Sequence, residues 1–157
     1  MILRIKRLLH AASPPKRGID SAAGWDFTAV GRTFLRSEDL FPIHPRNASA
    51  GDLVKYNTGL ALEIPKGHVG LAFARSSICK MPLILSNGTG VIDADYRGEL
   101  SFIYRILDPV NIEHTSYKEG ERYGQLVLVQ HDEPEFEMVE ELSDTARGIN
   151  GYGSTGK

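Results

Sequence analysis

Short apolar runs separated by turn-forming residues extend along most of this chain. Alternating or fully apolar runs cover residues 2–8, 53–56, 60–64, 68–74, 100–107, 125–130 and 136–139. Gly, Pro, Asn or Asp bounds these runs, which is typical of strands that end in tight turns. No stretch keeps a helical period over three turns, and the best helical candidate is the short segment from Arg75 to Met81. The pattern predicts an all-β fold: a distorted jelly roll or β-barrel of short antiparallel strands with one short helix.

The 157 residues are enough for one domain with a full core, and no internal repeat is found. Residues 31–52 contain Arg, Asp, Pro and Asn at irregular spacing and are interpreted as a long surface connection. Apolar content falls after residue 144. We therefore expect one β-barrel domain over residues 1–144 and a mobile, glycine-rich C-terminal arm over residues 145–157.

The composition argues against several classes of protein. The formal net charge of −2 gives no support for nonspecific nucleic-acid binding, which needs a strong basic excess. The one cysteine, Cys79, excludes an intrachain disulfide and a cysteine-based metal cluster, and it fits a reducing cytosol. Charges alternate with apolar residues near the N-terminus, and no apolar run approaches membrane-spanning length. We expect a cytoplasmic protein with no nucleic-acid or membrane partner.

The densest polar cluster lies between Asn87 and Glu99. A short strand, Val91-Ile92, is followed by two carboxylates, an aromatic ring and a guanidinium in the segment Asp93-Ala94-Asp95-Tyr96-Arg97. The glycines around this strand allow a ligand to approach the backbone closely, and Asp93 or Asp95 can act as a general base for water. A simple β-hairpin with turn-forming Asp residues explains the same string equally well.

The last eleven residues, Arg147–Lys157, combine four glycines with hydroxyl side chains and positive charge. A glycine-rich backbone can aim N–H groups at one point, and Ser154 and Thr155 add hydroxyl donors. Residues 151–157 match the letters of a P-loop, but no strand precedes them, so the match does not indicate a P-loop fold. The segment is interpreted either as a polyphosphate-binding arm or as a disordered tail.

Three further segments are weak indications of a site when each is taken alone. Arg75-Ser76-Ser77 suits anion capture if a short helix begins near Ser76, although Ser76 can equally be a plain helix cap. Ala23-Gly24-Trp25-Asp26-Phe27 places an acid between aromatic residues, and Gly120–Gln125 is a turn that runs into a strand. Each has a structural explanation of its own, so only their combination is informative.

In order and spacing these segments resemble the five motifs of the trimeric dUTP pyrophosphatase (dUTPase) family. The five are Ala23–Phe27, Arg75–Ser77, Gly90–Glu99, Gly120–Gln125 and Arg147–Gly156, and the third and fifth are the most specific. The resemblance implies hydrolysis of dUTP to dUMP and pyrophosphate with Mg²⁺ as cofactor. It also implies a homotrimer whose active sites are shared between subunits.

The resemblance further implies roles for the residues around the strand Val91-Ile92. Asp93 is expected to orient and deprotonate the water that attacks the α-phosphorus. Tyr96 is expected to pack beneath the deoxyribose and leave no room for a 2′-hydroxyl. Asn87 is expected to read the uracil in a tight hairpin to which Gly90, Val91 and Ile92 also contribute.

A second group of residues is implied for the phosphates and the metal. Ser76 and Gln125, with Arg75 and Ser77 beside them, are expected to hold the α- and β-phosphates. Asp26 is expected to bind, through water, a Mg²⁺ ion that the triphosphate chelates. The arm is expected to close on the γ-phosphate and the uracil through Arg147, Tyr152, Gly153, Ser154 and Thr155.

Two other functions remain open at this point. The dCTP deaminases share this fold and an Arg-Ser-Ser motif, but they carry a Glu ten residues after the motif Asp, where this chain has Ile103. A nucleotide-sensing regulator of the same fold would keep the same residues and would offer the 31–52 connection to a partner. Trp25 stands where the family usually has smaller or aliphatic residues, which leaves its effect on the metal site open.

Overall fold

The computed structural model describes residues 1–150, in which ten strands form two antiparallel sheets. The strands are β1 (Arg4–Arg7), β2 (Trp25–Thr28), β3 (Gly31–Leu35), β4 (Pro42–Ile43), β5 (Leu53–Glu63), β6 (His68–Ala74), β7 (Leu83–Leu85), β8 (Gly90–Ile92), β9 (Glu99–Ile106) and β10 (Arg122–Gln130). One α-helix, α1 (Ile112–Thr115), and two 3-10 helices, Pro45–Asn47 and Ser76–Lys80, complete the helical structure of this part of the chain. The prediction of an all-β, antiparallel fold with one short helix is confirmed.

Both sheets contribute to a single apolar core. The larger sheet has the order β4-β3-β5-β9-β7 with β1 paired to β5, and the smaller has the order β2-β10-β6-β8. Phe102 on β9 joins the two sheets, because its ring lies 6.2 Å from that of Phe27 on β2 and 5.3 Å from that of Tyr123 on β10. Gly124 allows this contact, since a Cβ there would lie only 2.7 Å from Cδ1 of Phe102.

Strand β5 is the longest strand of the described chain and joins two of the predicted runs, 53–56 and 60–64. Its first half pairs with β3 and β9, and its second half pairs with β1. The change of partner occurs at Gly59, which has a left-handed φ of 65°. Glu99 holds this bend, because its carboxylate accepts hydrogen bonds from the Gly59 N–H and from Nδ2 of Asn57, both at 2.7 Å.

Four tyrosines form the centre of the core: Tyr56, Tyr104, Tyr117 and Tyr123. Burial raises the pKa of all four hydroxyls, so they stay neutral donors well above physiological pH. Tyr104 donates to the Tyr123 carbonyl at 2.7 Å, and the Tyr117 hydroxyl lies 2.9 Å from Oγ of Ser77. The second of these bonds connects the core to the segment Ser76–Lys80 at the surface.

Helical structure differs in type and place from what the sequence predicts. The segment predicted as a helix, Arg75 to Met81, contains the 3-10 helix Ser76–Lys80. The one α-helix among the described residues is α1, which follows Asn111 in the left-handed conformation at φ 54°. Four residues are too few to produce a helical period, which explains why the pattern does not reveal α1.

The interpretation of residues 31–52 as an irregular connection is wrong in part, because β3 and β4 lie within them. The remaining loop is anchored on Asp52, which is buried. Its carboxylate accepts hydrogen bonds from Arg36 at 2.8 Å, from the Ser49 N–H at 2.9 Å and from the Ser37 N–H at 3.1 Å. A charge-paired carboxylate therefore takes the place of apolar packing in this loop.

The run at residues 136–139 was expected to be a strand, and that expectation is wrong. Between residues 131 and 150 the structure has no strand, and Phe136 and Met138 are 95% and 97% exposed. An alternating run forms a strand only where a partner edge is available to it. Across residues 1–150, no helix has both the length and the apolar character that crossing a membrane requires.

The tyrosine cluster predicts unequal costs for removing two of its hydroxyls. Tyr104→Phe should lower the free energy of unfolding by about 1 kcal/mol, because the Tyr123 carbonyl loses its buried donor. The Tyr56 hydroxyl lies beside Ser116 but meets no partner at hydrogen-bonding geometry within residues 1–150. Tyr56→Phe should therefore change stability little, as measured by urea denaturation, and equal losses in the two variants would contradict this account.

Candidate functional site

Asp26 lies between two arginines at one end of the smaller sheet. Its Oδ1 forms an ion pair with Nε of Arg75 at 3.0 Å, and its Oδ2 accepts a hydrogen bond from a terminal nitrogen of Arg122, also at 3.0 Å. Arg75 also donates to the Arg122 carbonyl at 3.2 Å. Because β10 lies between β2 and β6, the three residues meet across neighbouring strands although they are far apart in sequence. We call Asp26, Arg75 and Arg122 the Asp26 clamp.

The Asp26 clamp carries a net positive charge. The Asp26 carboxylate is almost fully buried, whereas Arg75 and Arg122 are 24% and 49% exposed. One negative and two positive groups leave about one unit of positive charge directed to the surface. This arrangement suits an anionic ligand and holds both guanidinium groups in fixed positions.

Gln125 and Ser76 lie next to the Asp26 clamp. Gln125 is opposite Asp26 in the sheet, and its Nε2 donates to the Ala74 carbonyl at 3.0 Å. Gly24 makes room for this side chain, because a Cβ at Gly24 would collide with Oε1 of Gln125. Ser76 is exposed at the start of the 3-10 helix, while the neighbouring hydroxyl of Ser77 is bonded to the core.

Trp25 does not crowd the Asp26 carboxylate. Successive side chains of a strand point to opposite faces, so Trp25 and Asp26 lie on different sides of β2. Trp25 is partly exposed beneath the Arg17 guanidinium, whose Cζ lies 5.0 Å from the ring. Any effect of Trp25 on a metal ion near Asp26 would therefore be transmitted through the backbone of β2.

A second group of predicted residues lies where β8 and β9 diverge. The two strands belong to different sheets, and Asp93 follows β8 directly and is exposed. Tyr96 is tied to it by a hydrogen bond from its N–H to the Asp93 carbonyl at 3.2 Å. A cavity of about 190 Å³ opens here and is lined by Val91, Ile92, Asp93, Tyr96, Glu99, Leu100 and Ser101.

A second cavity of about 280 Å³ lies between the same strands, and Ile92 and Ser101 line both cavities. Asn87 and Gly90 are among the residues that line this second cavity. A Cβ at Gly90 would lie 3.1 Å from Cβ of Ala72 and 3.3 Å from Nδ2 of Asn87, so the lack of a side chain at Gly90 keeps these contacts from becoming crowded. We call the two cavities together the β8–β9 cleft.

The Asp26 clamp and Asp93 are at opposite ends of β6. Strand β8 runs antiparallel to β6, with Gly90 opposite Ala72 and Ile92 opposite Gly70. Asp93 therefore lies beside the start of β6, whereas Arg75 follows its end. The distance along the strand is about 20 Å. The structure thus brings the predicted residues together in two groups that do not meet within one protomer.

Of the arm residues predicted to bind the ligand, the structure describes Arg147. Its side chain is exposed, and its Nε donates to the Asn150 carbonyl at 2.9 Å. Tyr152, Gly153, Ser154 and Thr155 lie outside the described residues. Their roles, like those of the other site residues, stay predictions.

Comparison with known proteins identifies the family. A family model described as dUTPase matches residues 39–156 of the chain. The deoxyuridine 5′-triphosphate nucleotidohydrolase of Corynebacterium glutamicum is 46% identical over 156 residues, which cover 99% of this chain and 95% of that protein. This chain belongs to the dUTPase family.

Two solved dUTPases have a similar fold. The dUTPase of Staphylococcus bacteriophage 80alpha, solved as a variant with dUpNHpp, has a TM-score of 0.79 at 26% identity over 99% of both chains. A variant dUTPase from phage phi11 of S. aureus, described for its coordination of a structural Mg(II) ion, has a TM-score of 0.70. It is 25% identical and covers 90% of this chain and 98% of its own.

The side chains of this dUTPase fit a Mg²⁺ ion only through water. No group of three His, Cys, Asp or Glu side chains within residues 1–150 is arranged to hold a metal. Both Asp26 oxygens are already paired with arginines, but each keeps a lone pair that can accept from a metal-bound water. Such a site suits an ion that is coordinated mainly by phosphate oxygens and water.

Arg122 and Glu99 have roles that the sequence alone does not reveal. Both fall within family motifs, which is the one signal that indicates them before the structure is known. Arg122 contacts Asp26 because a bulge between Arg122 and Gly124 shifts its register against β2. Glu99 lines the β8–β9 cleft, but its carboxylate is occupied by the bend of β5 and is not free to act as a base.

The Asp26 clamp predicts a large cost for neutralising its carboxylate. Asp26→Asn should lower the free energy of unfolding by about 2 kcal/mol, because two partly buried guanidinium groups lose their charged acceptor. Asp20→Asn, which changes an exposed carboxylate, serves as the matched control and should have almost no effect. Similar urea midpoints for Asp26→Asn and Asp20→Asn would show that the clamp contributes little.

Proposed function

We propose that this dUTPase hydrolyses dUTP to dUMP and pyrophosphate by Mg²⁺-assisted attack of water on the α-phosphorus, with Asp93 as the general base. The observation that carries the proposal is the position of Asp93, exposed at the mouth of a cavity that Tyr96 also lines. A carboxylate so placed can take a proton from water beside a ligand bound in the cleft. Within residues 1–150, Asp93 has none of the ion pairs that occupy Asp26 and Asp52.

The β8–β9 cleft is proposed to bind the nucleoside. The uracil would lie between the strands near Asn87, whose amide can both donate and accept hydrogen bonds. Gly90, Val91 and Ile92 would form one wall, where the missing side chain of Gly90 keeps space open. Tyr96 would pack beneath the deoxyribose and exclude a 2′-hydroxyl by contact with its ring.

The Asp26 clamp and its neighbours are proposed to bind the phosphates. Ser76 and Gln125 would donate to the α- and β-phosphates, while Arg75, held by Asp26, would fix the loop that carries Ser76 and Ser77. When Mg²⁺ is bound it would neutralise the triphosphate and the leaving pyrophosphate. Arm residues are proposed to close on the γ-phosphate and the uracil, namely Arg147, Tyr152, Gly153, Ser154 and Thr155.

We propose that the protein is a homotrimer with active sites shared between subunits. General-base catalysis needs Asp93 within hydrogen-bonding reach of the water that attacks the bound phosphate. Within one protomer Asp93 is separated from Arg75 by about 20 Å of β6, a distance that one reaction centre cannot span. A site that uses both residues therefore takes them from different copies of the chain.

Exposed surfaces support such an association. A groove of about 430 Å³ lies beside β1 and β2 and is lined by apolar residues such as Leu3, Ile5 and Trp25. The segment 131–144 exposes apolar side chains, including Phe136 and Met138, among seven acidic residues. The exposed strand β1, Arg4–Arg7, is basic. Opposite charges and matching apolar surfaces are what an exchanged segment of a second copy requires.

The proposed reaction is tested by pyrophosphate release. With Mg²⁺ the protein should release pyrophosphate from dUTP, and dTTP, UTP and dCTP should be much poorer substrates. Asp93→Asn should lower kcat by about a thousandfold, because the base is lost, while equilibrium dialysis still detects bound nucleotide. Asp95→Asn changes the neighbouring exposed carboxylate and is the matched control. If Asp95→Asn is inactive and Asp93→Asn is active, the base is wrongly assigned.

Site sharing is tested by complementation. Asp93→Asn and a chain truncated after Thr145 should each be inactive alone, since one lacks the base and the other lacks the arm. After the two are refolded together, random assembly should give an intact base and an intact arm in about one site in four. No recovery of activity, with mixed oligomers verified by native mass spectrometry, would show that both parts act within one protomer.

A further inference from the structure

The atoms nearest to the missing side chain of Gly98 belong to one residue, Tyr96. A Cβ placed on Gly98 would meet atoms of the Tyr96 ring and of no other residue among the three nearest, with Cζ at 2.6 Å and Cε2 at 2.9 Å and Oη nearer still. Real Cβ atoms do not approach ring carbons so closely, so the two groups cannot occupy these positions together. The Tyr96 ring therefore lies across the backbone of Gly98.

A hydrogen bond holds the ring in this position. The Tyr96 hydroxyl donates to the Glu99 carbonyl at 3.1 Å, so the side chain spans the turn and is fixed at both ends. The ring also lines the cavity of about 190 Å³ in the β8–β9 cleft. The backbone of Gly98 and Glu99 therefore fixes the position of the Tyr96 ring relative to a ligand in that cavity.

From this geometry we propose that Gly98 is a positioning residue for sugar selection: its lack of a side chain keeps the Tyr96 ring where it rejects a ribose 2′-hydroxyl. The inference rests on the proposed function, in which Tyr96 contacts the deoxyribose. Gly98 does not itself contact the sugar. It acts through Tyr96, whose exclusion of one oxygen atom depends on ring placement to a fraction of an ångström.

The backbone at Gly98 makes a clean test possible. The φ of Gly98 lies outside the left-handed region, so alanine is tolerated there without backbone strain. Gly98→Ala should displace the ring and lower the preference for dUTP over UTP, as a ratio of kcat/KM, by about tenfold or more. KM for dUTP should rise more than kcat falls, because the ring contacts the sugar and not the reacting phosphorus.

Gly18→Ala is the matched control. Gly18 also has no left-handed φ, and a Cβ there meets nothing within 4 Å. This variant should keep the selectivity and the melting temperature of the unaltered protein. Gly98→Ala should also keep the melting temperature, since the three nearest atoms belong to a partly exposed ring that can move.

A double-mutant cycle separates action through Tyr96 from any other effect. In a Tyr96→Ala background the ring is absent, so adding Gly98→Ala should leave the ratio of dUTP to UTP unchanged. An unchanged ratio in the Gly98→Ala single variant would overturn the proposal. An equal fall in ratio with and without the ring would overturn it as well.

Failure of the proposed function would look different. If the unaltered protein releases no pyrophosphate from dUTP, the proposed reaction is wrong, whatever Gly98 does. In that case the dissociation constants of dUTP and UTP are measured in place of turnover. Gly98→Ala must still reduce the difference between the affinity for dUTP and the affinity for UTP. An unchanged ratio of the two dissociation constants would then contradict the proposed role of Gly98 as well.

Discussion

The divergence of β8 and β9 into different sheets is the constraint on which the site depends. Strands that are close in sequence usually pair with each other, but here β8 pairs with β6 and β9 pairs with β5 and β7. Strand β9 has a partner on each side, whereas β8 is an edge strand with β6 as its one partner, so a cleft remains open between β8 and β9. Glu99 lies at this divergence, where it lines the cleft and also holds the bend of β5 through its carboxylate.

The aspartates in and around the site differ in their burial and in their partners. Asp26 and Asp52 are buried and paired with arginines, Asp52 also accepts from backbone N–H groups, and both residues fix parts of the structure. Asp93 is exposed and lies in a loop whose other contacts position Tyr96. Buried and paired carboxylates stabilise the structure, whereas a reactive base needs a free lone pair beside its substrate. The fold therefore separates structural acids from the acid proposed for catalysis.

Local patterns predict much of the fold and less of the site. Strand β6 agrees residue by residue with its apolar run, because a strand between two neighbours needs apolar side chains on its buried face. The run at 136–139 has the same pattern without a partner edge, so pattern alone misplaces a strand there. Contacts such as that of Arg122 with Asp26 depend on register between strands far apart in sequence, which no local pattern contains.

The antiparallel register of β6 and β8 has a consequence for the enzyme in dilute solution. Because this register places Asp93 and Arg75 at opposite ends of one strand, a single chain of the proposed homotrimer can be fully folded and still hold only half of the proposed reaction centre. Folding and activity are then governed by different equilibria, since one is unimolecular and the other requires association. For the proposed homotrimer, turnover per chain should depend on protein concentration, and an agent that separates the subunits without unfolding them should act as an inhibitor.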